Sequence, residues 1–174
     1  MTEYQLIVFT APGRGVPVRI TNLLLPSDIE VVGMQFGLFG KADCRWVQLT
    51  VVVPTKQRLE LLTKRLNRLA DVYKVVVLGP GSHRRQSVYV RLRPSSSDGL
   101  DLFSLIQSFC AETLKVTDRE VVVHLNAPPE RCTAFETALA PYRVVEAMRS
   151  AVSAFRDGIP AVMQPVTAVS QACS

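Results

Sequence analysis

"GRGVPVRITNLLLPSDIEVVGMQFGLFG", residues 13–40, changes its hydrophobic period midway, and that change decides the fold. Residues 16–25 make a short apolar helix that Pro26 stops. From Ile29 the period becomes two. Val32, Met34, Phe36 and Leu38 alternate with Gly33, Gln35 and Gly37, which predicts a strand with one buried face. In front of the quoted stretch, residues 5–9 (QLIVF) have strand composition and lead into a turn at residues 11–15. Behind it, residues 40–43 read as a hairpin turn. The next strand, 44–53, sets Val47, Leu49 and Val51 against Gln48 and Thr50. Thr55 then caps a helix through residue 70 with the stripe Leu59, Leu62, Leu66, Leu69, and residues 73–78 are strand-like. The order is β-α-β-β-α-β.

Gly79-Pro80-Gly81-Ser82 interrupts, and the same order follows again. Residues 87–92 read as a strand, 94–99 as a loop, and 100–110 as a helix burying Leu102, Phe103, Ile106 and Phe109. A hairpin joins 113–116 to 121–125 around Asp118-Arg119. Asn126 caps the next helix, Pro128 and Pro129 fit its first turn, and Cys132, Phe135 and Leu139 supply its stripe. Residues 142–147 make the last strand. The fold class is therefore α+β, with two tandem ferredoxin-like units repeated in element order rather than in residue identity. The expected divisions are 1–79, a linker at 80–86, a second unit at 87–158, and a loose tail at 159–174. Such units leave sheet edges and one sheet face open, which predicts a homodimer or higher oligomer.

The chain is 48% hydrophobic with charges of both signs, so a packed core is expected rather than disorder. Its start lacks the basic-then-apolar pattern of a secretory signal, and its apolar runs are far shorter than the roughly 20 residues of a membrane span. A cytoplasmic protein without membrane contact is expected. No nucleophile elbow, zinc-protease motif or phosphate-binding loop occurs, and Gly13-Arg14-Gly15 lacks the lysine and hydroxyl that hold a triphosphate. Cys44, Cys110, Cys132 and Cys173 form no C-x-x-C pair, and only His83 and His124 are available to join them. No metal site and no catalytic residue are predicted. Cys110 and Cys132 fall on apolar helix stripes and read as small core residues.

The net charge of +5 is modest. His83-Arg84-Arg85, Arg91, Arg93, Lys64, Arg65 and Arg68 offer a basic face on a ferredoxin-like fold, which invites an RNA-binding reading. The stacking aromatics of that class are missing, since Trp46 stands alone on its strand. A solvated basic surface is the simpler account, and nucleic acid is disfavoured.

Three stretches resemble the small regulatory subunits of acetolactate synthase (acetohydroxyacid synthase). The first is LTKRLNRL (62–69) with VYKV (72–75). The second is FCA (109–111) with KV (115–116). The third, and most specific, is LAPYRVVE (139–146) continuing through RSA (149–151) and RDG (156–158). The likeness runs over residues 4–158 and agrees with the repeated element order. It implies that the first unit is an ACT domain, which pairs with another copy and binds an amino acid at the shared edge. It also implies a non-catalytic chain. Such a subunit binds a large catalytic subunit carrying thiamine diphosphate, magnesium and FAD, raises its activity, and confers feedback inhibition by valine or a relative. No cofactor is expected in this chain.

The resemblance assigns effector binding to Pro12, Gly13, Gly15, Val16, Pro17, Asp28 and Ile29, and here the sequence departs from the family pattern. The family's first asparagine falls on Pro12, its leucine on Pro17, and its second asparagine on Asp28. A helix start at Gly15-Val16 still suits a carboxylate. Pro12 offers neither an N–H nor a side-chain amide, and Asp28 accepts from an ammonium but repels a carboxylate. Each lost hydrogen bond to a charged ligand costs about 1.5–3 kcal/mol. The expected function is thus a regulatory subunit with weakened or altered branched-chain amino-acid feedback. A stand-alone ACT-type amino-acid sensor for another enzyme is the alternative, and a ferredoxin-like RNA-binding protein ranks third.

Overall fold

The computed structural model describes residues 1–25, 28–39, 44–79, 81–95 and 98–156. The helix stop at Pro26, the turn at 40–43, Cys173 and the tail expected at 159–174 lie outside the described residues. The chain forms two compact units. One takes residues 1–83 and resumes at Ala154; the other takes residues 84–153.

In the first unit the elements are β1 (Thr2–Thr10), α1 (Val16–Leu24), β2 (Glu30–Phe39), β3 (Cys44–Val53), α2 (Lys56–Asn67) and β4 (Val72–Leu78). Its antiparallel sheet has the order β2-β3-β1-β4, the ferredoxin-like arrangement. Val16, Ile20 and Leu24 of α1 and Leu59, Leu62 and Leu66 of α2 bury against Leu6, Val8, Val47, Leu49 and Val51 of the sheet. The Thr55 hydroxyl accepts from the Arg58 N–H at 3.4 Å, the cap that the sequence predicts. Helix α2 ends at Asn67 rather than at residue 70. There the Asn67 side chain donates to the Thr63 carbonyl (3.0 Å) and accepts from the Val75 N–H (3.1 Å), which ties the helix end to β4.

Two expectations for this sheet are overturned. Gln48 and Thr50, assigned to the polar face of β3, are buried together with Gln5. The reason is a second apolar cluster on the helix-free face, where Ile7, Phe9, Leu78 and Ala154 pack with Trp46 beside them. Strand β1 is consequently buried on both faces from Gln5 to Thr10. The opposite error occurs in β2, where Phe36 is 54% and Leu38 71% exposed. Strand β2 is the sheet edge, paired only with β3, and of its alternating set Met34 packs onto the core while Val32, Phe36 and Leu38 stay exposed.

The second unit contains β5 (His83–Leu92), α3 (Gly99–Ser108), β6 (Glu112–Val116), β7 (Val121–Ala127), α4 (Pro129–Leu139) and β8 (Val144–Arg149), with β9 (Ser153–Phe155) following. Its sheet runs β6-β7-β5-β8, the same topology as the first. Leu102, Ile106, Cys132, Phe135 and Leu139 fill the space over Val88, Val90, Val123 and Leu125. Phe109 packs on Phe135 with ring centroids 5.1 Å apart.

Cys110 is not the core residue the stripe predicts. Helix α3 ends at Ser108, Cys110 turns into the left-handed region (φ 53°), and its side chain is exposed. Phe103 is also mostly outside the core. Cys132 is buried as expected. Asn126 does not cap α4: it sits in β7 and donates to the Ser87 hydroxyl at 3.1 Å, while Pro128 occupies the cap position and Pro129 the first turn. A 3-10 turn at Ala140–Tyr142 precedes β8 and leaves Arg143 at φ 52°.

Candidate functional site

The turn between β1 and α1 is built by backbone contacts rather than side-chain caps. The Ala11 N–H donates to the Asp71 carbonyl at 2.8 Å, which anchors the corner to the segment before β4. Arg19, one turn into α1, donates from Nη1 to the Asp71 carboxylate. Gly15 is the N-cap of α1 with no side-chain hydrogen bond, and its carbonyl accepts from Arg19 at 3.1 Å. The Val16 N–H turns to the Gly13 carbonyl at 3.4 Å. Pro17 follows within the first turn and has no N–H. A side chain at position 13 would place its Cβ 3.1 Å from Val16 Cγ2, so Gly13 keeps the turn tight against a buried residue.

This arrangement weakens the corner as an anion cradle. A helix start binds carboxylates through its first N–H groups. Here the second helical residue supplies none and the first is directed at Gly13. Pro12, Arg14 and Gly15 are exposed, whereas Val16 is buried in the core.

Asp28 and Ile29 stand elsewhere. They precede β2, beyond the far end of the nine-residue α1, itself roughly 14 Å long at about 1.5 Å per residue. Asp28 pairs with Arg58 of α2 at 3.1 Å, and Ile29 packs onto the core. Within one chain, therefore, Pro12, Gly13, Gly15, Val16 and Pro17 come together and Asp28 and Ile29 do not join them. The strand register puts the two segments at opposite ends of the sheet. Thr10 lies level with Arg45 and Leu38, and Glu3 lies level with Val52 and Glu30.

Val32, Phe36 and Leu38 of β2, assigned from sequence to a buried face, are exposed in the single chain, as are Val18 of α1 and its C-cap residue Leu25, which were not singled out from sequence. The signal was present in the alternation of β2, but a period of two does not say whether its face is covered by the same chain or by another.

Four arginines of the second unit are engaged with carboxylates. Arg84 meets Glu130 at 2.8 Å, Arg91 meets Glu146 at 3.4 Å, and Arg93 donates through Nε and Nη2 to Glu120 at 3.0 and 2.8 Å. The Arg93 hydrogen bonds hold the Glu120 carboxyl below the usual range. Arg149 pairs with Glu136 and donates to the Thr133 hydroxyl at 3.0 Å. His124 stacks on Tyr89 at 4.5 Å with Nδ1 3.5 Å from Glu112, a strand-face arrangement rather than a catalytic one. Among the described residues no group of three or more His, Cys, Asp or Glu could hold a metal ion, and no helix is long and apolar enough to cross a membrane.

Comparison with known proteins agrees with the resemblance read from sequence. Residues 85–158 match the model of the family described as the small subunit of acetolactate synthase. The acetolactate synthase small subunit of Bacillus subtilis is 26% identical over 156 residues, covering 88% of this chain and 91% of that protein. That of Mycolicibacterium smegmatis is 24% identical over 157 residues, covering 89% and 91%. The crystal structure of the acetolactate synthase small subunit from Thermotoga maritima superposes with a TM-score of 0.79 at 18% identity, covering 89% of this chain and 97% of that one. The two-unit fold is thus shared, and the chain's homologues are named acetolactate synthase small subunits.

Proposed function

We propose that this chain, whose second unit matches the acetolactate synthase small-subunit family and whose relatives align over nearly their whole length, is a non-catalytic regulatory subunit. It binds a large subunit of the acetolactate synthase type and raises its activity. Thiamine diphosphate, magnesium and FAD belong to that partner. The observation that carries the reading is full-length similarity to small subunits combined with an apolar edge, β2 and α1, left open in the single chain. A second copy covers that edge, giving at least a homodimer in the cytoplasm.

The effector site of this reading lies between two copies, where Pro12, Gly13, Gly15, Val16 and Pro17 of one approach Asp28 and Ile29 of the other. Pro17 removes an N–H donor and Arg58 already engages Asp28, so feedback by valine or a relative is weakened. Loss of two hydrogen bonds to a charged ligand, at about 1.5–3 kcal/mol each, lowers affinity at least a hundredfold. Activation survives this loss because it uses contacts with the partner rather than with the effector.

Mixing the protein with its cognate large subunit tests the reading. Co-elution and a rise in turnover are expected; separate elution with unchanged turnover rejects it. A thermal-shift panel of amino acids separates the second reading, a stand-alone sensor. A true effector at 100 times its dissociation constant stabilises the fold by about 2.7 kcal/mol. A flat panel with an activated large subunit supports the regulatory subunit, and a strong response without partner binding supports the sensor.

A further inference from the structure

Helix α2 carries charge that its own unit does not use. Lys56, Arg58, Lys64, Arg65 and the C-cap residue Arg68 stand against one carboxylate on the helix, Glu60. Residues 1–83 hold ten Lys and Arg against six Asp and Glu, a surplus no larger than that of α2 alone. Part of this has a local explanation. Lys64 and Arg65 lie in the last turn, where cations complement the helix dipole. Lys56 and Arg58 do not. They lie in the first turn, which has no acidic residue, and there the dipole opposes them. Among the described residues, Arg58 alone of these cations meets a carboxylate, that of Asp28 at 3.1 Å.

The cations also surround an apolar group. Leu61 is 40% exposed while Leu59, Leu62 and Leu66 carry the helix into the core. Arg58, Lys64 and Arg65 are three or four residues away from Leu61 on the helix surface, and Arg68 lies one turn further. All are exposed. An exposed leucine flanked by arginines joins an apolar contact to the charged side chain that is enriched at protein interfaces. A surface for phosphate backbone alone has no use for the leucine. The location fits as well: α2 packs beside β4, whereas β2 forms the other edge of the sheet. A second copy paired at β2 leaves the outward face of α2 open.

We propose that this face of α2 docks the large catalytic subunit, which meets it with an acidic surface around an apolar socket for Leu61. The inference rests on the regulatory-subunit reading above and adds the surface and the chemistry of the partner to it. The test uses the full chain and the cognate large subunit, with binding measured across a salt series. Arg65→Glu/Arg68→Glu weakens binding at least tenfold at low salt and flattens its salt dependence, and Leu61→Ser weakens it at least fivefold. Arg65→Lys/Arg68→Lys keeps binding within threefold, and a melting midpoint of the Glu variant near that of the wild type excludes misfolding as the cause. Arg119→Glu, on the second unit, changes binding less than twofold. If the wild type binds and the α2 variants bind equally well, the α2 surface is wrong while the regulatory reading stands. If the wild type does not bind, both are wrong. Loss of oligonucleotide retention in the same variants without loss of subunit binding overturns the proposal in favour of a polyanion surface.

Discussion

Gly37→Ala probes the packing that holds the open edge of the first unit in place. A Cβ at position 37 would lie 2.2 Å from Trp46 Cε2, 2.3 Å from Cζ2 and 2.5 Å from Nε1. Carbon contacts are comfortable at about 3.5–4.0 Å, so the indole or the strand must retreat by more than an ångström. Trp46 lies directly across from Gly37 in the β2–β3 register, and it packs against the cluster of Ile7, Phe9, Leu78 and Ala154. Neither side yields freely. Overpacking of this kind costs about 1–3 kcal/mol. For a chain of this size each kcal/mol lowers the melting temperature by about 2–4 °C. The assay is a thermal melt followed by fluorescence of Trp46, the one tryptophan in the sequence, which reports on the first unit alone. A lower midpoint and a shifted emission maximum are expected. The double variant Trp46→Ala/Gly37→Ala, followed by circular dichroism, should show a coupling above about 1 kcal/mol, since removing the ring removes the clash. A Gly37→Ala protein with the wild-type midpoint and emission would refute the packing argument.

Further expectations concern the second unit. Arg143 holds φ 52°, a conformation that costs an L-residue about 1–2 kcal/mol, so Arg143→Gly should raise the melting midpoint of the second unit despite deleting a side chain. Glu120 is depressed below 4.5 by Arg93, so its stabilisation is complete above that pH and fades as pH falls through the lower native value. The stability gap between wild type and Glu120→Gln should therefore be constant near neutrality and close in acid, measured as melting midpoint against pH. Cys132 is fully buried and burial pushes its thiol up, whereas Cys110 is exposed; thiol labelling read by mass spectrometry should modify Cys110 in the native protein and Cys132 only on unfolding. Phe135→Ala empties a fully buried site against Phe109 and should cost about 3–5 kcal/mol in chemical denaturation.

The element order was legible because periodicity reports which side of an element is apolar. The stripes Leu59-Leu62-Leu66 and Cys132-Phe135-Leu139 were read correctly for that reason. Periodicity does not report what covers the face. Phe36 and Leu38 alternate like core residues yet lie on an edge strand, while Gln48 and Thr50 alternate like surface residues yet are buried. Both errors depend on neighbours distant in sequence. Cys110 failed at a helix end, where one residue in the left-handed region redirects a side chain that the stripe would have buried. At the candidate site, the loss of donors at Pro12 and Pro17 was visible in the residues themselves. The pairing of Asp28 with Arg58 needed the folded chain.

The central claim is that this protein acts through a catalytic partner. The most direct measurement is the turnover of the purified cognate large subunit as this chain is titrated into it. A saturable rise in turnover, at a stoichiometry matched by co-elution, is the predicted result. Unchanged turnover together with separate elution would contradict the account.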